Sequence, residues 1–204
     1  TDWIAYLNEK SLPAKDTTDS ADTTAKKKKE KKKNGEGTEL VIMKVIERNT
    51  YSFKDVTDYA AAKNGGFFGF ITQKKDSIDS TAVFRFDPRK EKEYSIFEEE
   101  GLAKQIGADD EGKQLAFVFS ADTAKTKNYD LVYWIEKEDH AKIVIDSTAA
   151  GLPEDWRVSE HRKPAFSKDG EKLFFETAPE LEPAPEDTLL DDEKVRVDIW
   201  HWKD

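Results

Sequence analysis

His140, His161 and His201 are the only imidazoles in the 204-residue chain, and there is no cysteine. A transition-metal site needs three or four converging nitrogen, sulfur or carboxylate donors. Histidines this scattered do not make that set, even with Glu138, Asp139 and Glu160 beside them, so no metal is expected. His201 stands between Trp200 and Trp202, where strand alternation turns it away from both rings. A serine nucleophile on an elbow needs G-x-S-x-G, because small flanking residues permit the strained turn that exposes the hydroxyl. Ser120, Ser159 and Ser167 lack that glycine spacing, and no catalytic residue is expected. Carboxylate runs such as Glu98 to Glu100 and Asp191 to Glu193 read as solvated, since a general acid needs a buried, perturbed group. Gly65-Gly66 belongs to no phosphate-cradling pattern, so no cofactor is expected.

Binding chemistry is better provided for. Trp156, Arg157, His161 and Arg162 lie in a long connection from Asp146 to Pro164, and binding residues concentrate on such loops. They supply amphipathic contact area and cationic donors suited to a peptide's carboxylate or carbonyl groups. The competing reading has Trp156 packing the loop down and the arginines pairing with the abundant carboxylates.

With 37% apolar and 11% aromatic residues, the chain can bury a core. Its formal charge of −10 disfavours nucleic acid or an anionic membrane as partner, because such binding draws on Lys and Arg neutralising phosphates. No apolar run approaches the ~20 residues that span a bilayer. A start at Thr1-Asp2-Trp3, without Met or an apolar leader, reads as a cut or matured chain. Residues 11–37 have almost no large apolar side chain and carry the lysine block Lys26 to Lys33, broken by Glu30. Like charges repel, and this stretch is expected to be a flexible insertion. Residues 179–193 contain three prolines and many carboxylates and read as an acidic loop.

The elements that must position any site repeat along the chain. A turn glycine stands three residues before an apolar strand in each case: Gly65 before Phe68-Gly69-Phe70-Ile71, Gly112 before Leu115-Ala116-Phe117-Val118, and Gly170 before Leu173-Phe174-Phe175. Trp3 to Leu7 looks like the same strand. Asn64-Gly65 and Asp169-Gly170 are pairs that tight hairpins favour. An apolar, aromatic strand follows each anchor strand, at Leu40 to Met43, Ala82 to Phe86, Leu131 to Trp134 and Val197 to Trp202. A more polar strand comes next in the first three units, at Thr50 to Phe53, Glu93 to Phe97 and Lys142 to Ile145. A small-residue strand precedes each glycine, at Asp58 to Ala62, Lys104 to Ala108 and Lys163 to Phe166, as crowding at the centre of a β-propeller demands. The glycines are 47 and 58 residues apart, near the ~40–50 residues of a four-stranded blade. The fold class expected is all-β: propeller blades built as four-stranded antiparallel meanders, a partial propeller over residues 1–204 with two full and two incomplete blades. Trp134, Trp200 and Trp202 then read as packing between blades, and an open β-sandwich is the competing architecture.

The segment Phe166 to Phe175, followed by Asp198-Ile199-Trp200-His201-Trp202, resembles the "SxDGxxLxF…W" repeats of dipeptidyl-peptidase and TolB propellers. The chain as a whole, with its lysine-rich insertion, Val56 to Tyr59, Leu152 to Trp156 and Ser159-Glu160-His161, resembles part of the amino-terminal half of prolyl oligopeptidase family serine peptidases of Bacteroidetes type. The resemblance implies a secreted or periplasmic parent and a propeller that filters and positions peptide substrates. It also implies a carboxy-terminal α/β-hydrolase domain holding the triad beyond Asp204. The alternative function is a TolB-like scaffold that binds a protein partner without peptidase activity.

Overall fold

The computed structural model describes residues 2–8, 37–75, 79–123 and 126–180. The expected strand Val197 to Trp202, His201, and nearly all of the 11–37 and 179–193 segments lie outside them. No helix occurs among the described residues, so none is long and apolar enough to cross a membrane.

Six strands form one antiparallel sheet in chain order: β1 (Trp3–Asn8), β2 (Thr38–Lys44), β3 (Thr50–Ala61), β4 (Phe68–Lys75), β5 (Asp79–Asp87) and β6 (Lys92–Glu100). A second antiparallel meander joins β7 (Leu102–Ala108), β8 (Gln114–Ser120), β9 (Asp130–Ile135) and β10 (Lys142–Ile145). Two short pairs follow, β11 (Trp156–Val158) with β14 (Thr177–Pro179) and β12 (Ala165–Phe166) with β13 (Leu173–Phe174). The first blade thus has three strands, the second and third have four each, and β12–β13 opens a fourth.

One boundary differs from the expectation. The sequence pattern separates Thr50 to Phe53 from Asp58 to Ala62, yet the outer strand of the first blade and the inner strand of the second are one continuous β3. Its first half pairs with β2 and its second half with β4, with register shifts near Val56 on both sides. Between the halves Asp55 adopts φ 59°, a left-handed conformation that Asp tolerates better than most residues, and such bulges bend a strand. Gly37 opposite is required, because a Cβ there would lie 2.1 Å from the Asp55 carbonyl carbon. The bend folds the first blade onto the second. Phe53 reaches Phe70 with ring centroids 4.5 Å apart, and Tyr51 reaches Phe86 at 4.9 Å.

The three turn glycines do the same work. Gly65, Gly112 and Gly170 have φ of 82°, 69° and 72°. Each donates its N–H to the carbonyl three residues back, on Ala62, Asp109 and Ser167. Those three residues in turn donate to the carbonyls of Phe67, Gln114 and Lys172. In two of the turns the residue three before the glycine also caps with its side chain. Asp109 Oδ1 accepts from the N–H groups of Lys113 and Gln114, and Ser167 Oγ accepts from that of Lys172.

Middle strands are apolar on both sides because both sides are covered, which is why they read as runs rather than alternations. Along β4 and β5, Phe70 and Phe86 face the first blade, while Ile71 and Val83 face the third. Along β8, Leu115, Phe117 and Phe119 face the second blade, while Ala116 and Val118 face the last unit with Leu131 and Val158. Layers stacked in this way distinguish blades from a two-layer sandwich. Neighbouring blades approach closely. A Cβ on Gly69 of β4 would meet Leu115 of β8 at 2.8 Å, and one on Gly107 of the inner strand β7 would meet the Pro164 carbonyl at 2.1 Å.

Candidate functional site

Two clefts open between neighbouring blades. The first, about 370 Å³ counted to its open mouth, lies where β11 meets the third blade, and its wall includes Tyr129, Arg157, Glu160 and His161. β11 is attached there by a bridge between Tyr129 and Val158 and by its pairing with β14. Part of the expected loop is therefore strand, with Trp156 opposite Pro179 and Arg157 opposite Ala178.

The structure brings two of the four expected binding residues, Arg157 and His161, to this cleft. Trp156 and Arg162 are not among its lining. Both arginines are paired: Arg157 with Glu180 at 2.8 Å, and Arg162 with Glu176 at 2.8 Å. His161 is exposed and donates its backbone N–H to Ser159 Oγ. Tyr129 and Glu160 of this lining belong to a polar cluster that sequence reading did not single out. Lys104 Nζ on β7 donates to Glu160 at 2.5 Å and lies 5.5 Å from the ring centroid of the buried Tyr129. Burial lowers the affinity of Lys104 for its proton, but hydrogen bonds with Glu160 and Tyr129 outweigh it and hold its pKa above the ordinary value. Burial pushes the Glu160 carboxyl up, and the same partners bring it below its usual range. The cluster is thus an ion pair at neutral pH. Gln105, next to Lys104, adopts φ 59° at a bulge and donates its side-chain N–H to the Glu160 carbonyl at 3.0 Å. These bonds fix the backbone beside His161.

The second cleft, about 720 Å³ to its mouth, lies between the second and third blades at the hairpin-turn end. Arg85 of β5 enters it beside Trp134 of β9, with Arg89 and Lys113 at the rim. Its guanidinium carbon is 4.2 Å from the Tyr94 ring centroid and 5.2 Å from that of Trp134. Nothing in the sequence marks Arg85 except its place in the alternation Phe84-Arg85-Phe86, which a register was needed to interpret.

Stacked four-stranded meanders with a repeated glycine turn make this chain an array of propeller blades. No family profile and no curated protein matches its sequence. Solved structures to which it is similar include TolB from Acinetobacter baumannii, at 13% identity and a TM-score of 0.45, covering 68% of this chain and 31% of that one. The tricorn protease is similar at 16% identity and a TM-score of 0.46, over 76% of this chain and 14% of that one. The β-propeller domain of the trilobed protease from Pyrococcus furiosus is similar at 10% identity and a TM-score of 0.34, over 68% of this chain and 61% of that one. The chain therefore spans less than a third of the length of either of the first two.

Proposed function

We propose that this chain is the non-catalytic propeller module of a prolyl oligopeptidase family serine peptidase of Bacteroidetes type, secreted or periplasmic. The module controls access and positions peptides for an α/β-hydrolase domain encoded outside these 204 residues. The observation that carries the reading is the Ser167-Lys168-Asp169-Gly170 turn, whose capping bonds and positive-φ glycine recur at Asp109 to Gly112. That turn belongs to the repeat through which the chain resembles dipeptidyl-peptidase propellers. The cleft at β11 supports a peptide-positioning role, with the Arg157 and His161 side of its wall polar and Tyr129 and Val158 beneath. Trp156 and Arg162 flank that wall in sequence, and the proposal includes them as peptide contacts.

Hydrolysis of prolyl and alanyl dipeptide reporters tests the proposal. The 204-residue chain leaves them intact, because it contains no G-x-S-x-G segment, whereas the product of the complete reading frame cleaves them. A complete product without cleavage points instead to a propeller scaffold that binds a protein partner.

A further inference from the structure

In the second cleft Arg85 is bonded to none of the carboxylates that share the lining. Arg85 is half-buried and makes no ion pair or hydrogen bond to a carboxylate among the described residues. Its neighbours are rings instead, Tyr94 at 4.2 Å on the adjacent strand and Trp134 at 5.2 Å on the next blade. The Trp134 ring is itself fixed. Trp134 is buried, donates Nε1–H to the Glu138 carbonyl at 2.8 Å and packs edge-on against Phe67. None of the three carboxylates of the lining makes an ion pair with Arg85. Asp87 Oδ1 accepts from the turn N–H groups of Arg89 and Lys90, and Glu111 accepts from Asn64 at 2.7 Å. Glu136 is exposed at the mouth and unbonded to Arg85 among the described residues.

An arginine held over aromatic faces keeps its in-plane N–H donors for a planar acceptor, and a partly desolvated site strengthens that contact. We propose that the Arg85 cleft is a binding subsite for a carboxylate group, held by the Arg85 fork between the second and third blades. Arg89 and Lys113 add attraction, and Asp87, Glu111 and Glu136 oppose it. The carboxylate comes either from a chain terminus or from an acidic side chain. The proposal does not depend on a hydrolase domain.

Two probes separate the sources: N-acetylalanine carries a terminal carboxylate, and the α-amide of N-acetylglutamate carries only a side-chain one. N-acetylalanine amide carries neither. Titration of the 204-residue chain is followed by NMR at the Arg85 Nε–Hε signal and the Trp134 indole N–H. Saturable movement of both signals with at least one carboxylate, and none with the amide, is the expected result, and the probe that binds more tightly names the source. In Arg85→Lys, which keeps the charge and loses the fork, the Trp134 signal should report binding weakened about tenfold or more. Glu136→Gln should tighten binding. An amide that shifts the signals as the acids do, carboxylates that move neither signal, or Arg85→Lys binding as tightly as the parent would overturn the proposal. The acid-against-amide comparison on the unaltered chain decides even where a variant folds poorly.

Discussion

Asp130 opens β9 near the first cleft, and its carboxyl is pushed above the ordinary carboxylate range by burial first and by Asp146 and Asp122 second, with Arg157 partly offsetting them. A carboxyl raised in the folded state stabilises the fold when protonated, and that contribution is lost as pH rises through its folded pKa. Asp130→Asn should therefore raise the melting temperature at neutral pH, with the gain vanishing below about pH 3 where both states are protonated. A lower melting temperature at pH 7 would contradict that sign. The turn glycines make a second test. A Cβ at Gly112, at φ 69°, would lie 2.6 Å from the Gly66 Cα, whereas one at Gly151, at φ 98°, would meet nothing within 4 Å. Gly151→Ala should cost only the conformational strain, about 1 kcal/mol, and Gly112→Ala about 2 kcal/mol or more in urea unfolding. Equal costs would mean that the contact between turns does not matter. Arg157 and His161 were legible as candidates because they stand on the long connection from Asp146 to Pro164, part of which pairs as β11. Arg85 was not legible, since nothing in its local sequence tells which blade it faces.

At the scale of elements, strand positions were legible wherever a turn glycine and an apolar run stood together, as at Gly112 and Leu115 to Val118. Two features were not. The continuity of β3 depends on a left-handed Asp55 opposite Gly37, a pairing across a segment that local pattern does not record. The three-residue β11 is too short to show periodicity, and its partner β14 lies some twenty residues on. The two-sided burial of β8 carries its own prediction. Phe117 is buried and meets Phe97 edge-on at 5.3 Å, while Phe174 on β13 is 57% exposed. Phe117→Ala should lower unfolding free energy by about 3–5 kcal/mol, and Phe174→Ala by about 0.5 kcal/mol or less. Similar losses at both would mean that the second and third blades do not share a core.

For the whole molecule, the shared core of the second and third blades and the close approach of neighbouring blades at Gly69 and Gly107 make the described array one stacked body. Among the described residues the first cleft carries ion pairs and the second an arginine bonded to no carboxylate, and the sequence has no G-x-S-x-G segment. The proposal is that such an array serves a serine hydrolase without itself holding the nucleophile. Losing triad members costs on the order of 10⁴–10⁶ in rate, so the distinction is large. The most direct measurement is side-by-side labelling of the 204-residue chain and the product of the complete reading frame with a fluorophosphonate probe. The account predicts stoichiometric labelling of the complete product at a serine outside Thr1 to Asp204 and none of the shorter chain. Labelling of a serine within the 204 residues, or an unlabelled complete product, would contradict it.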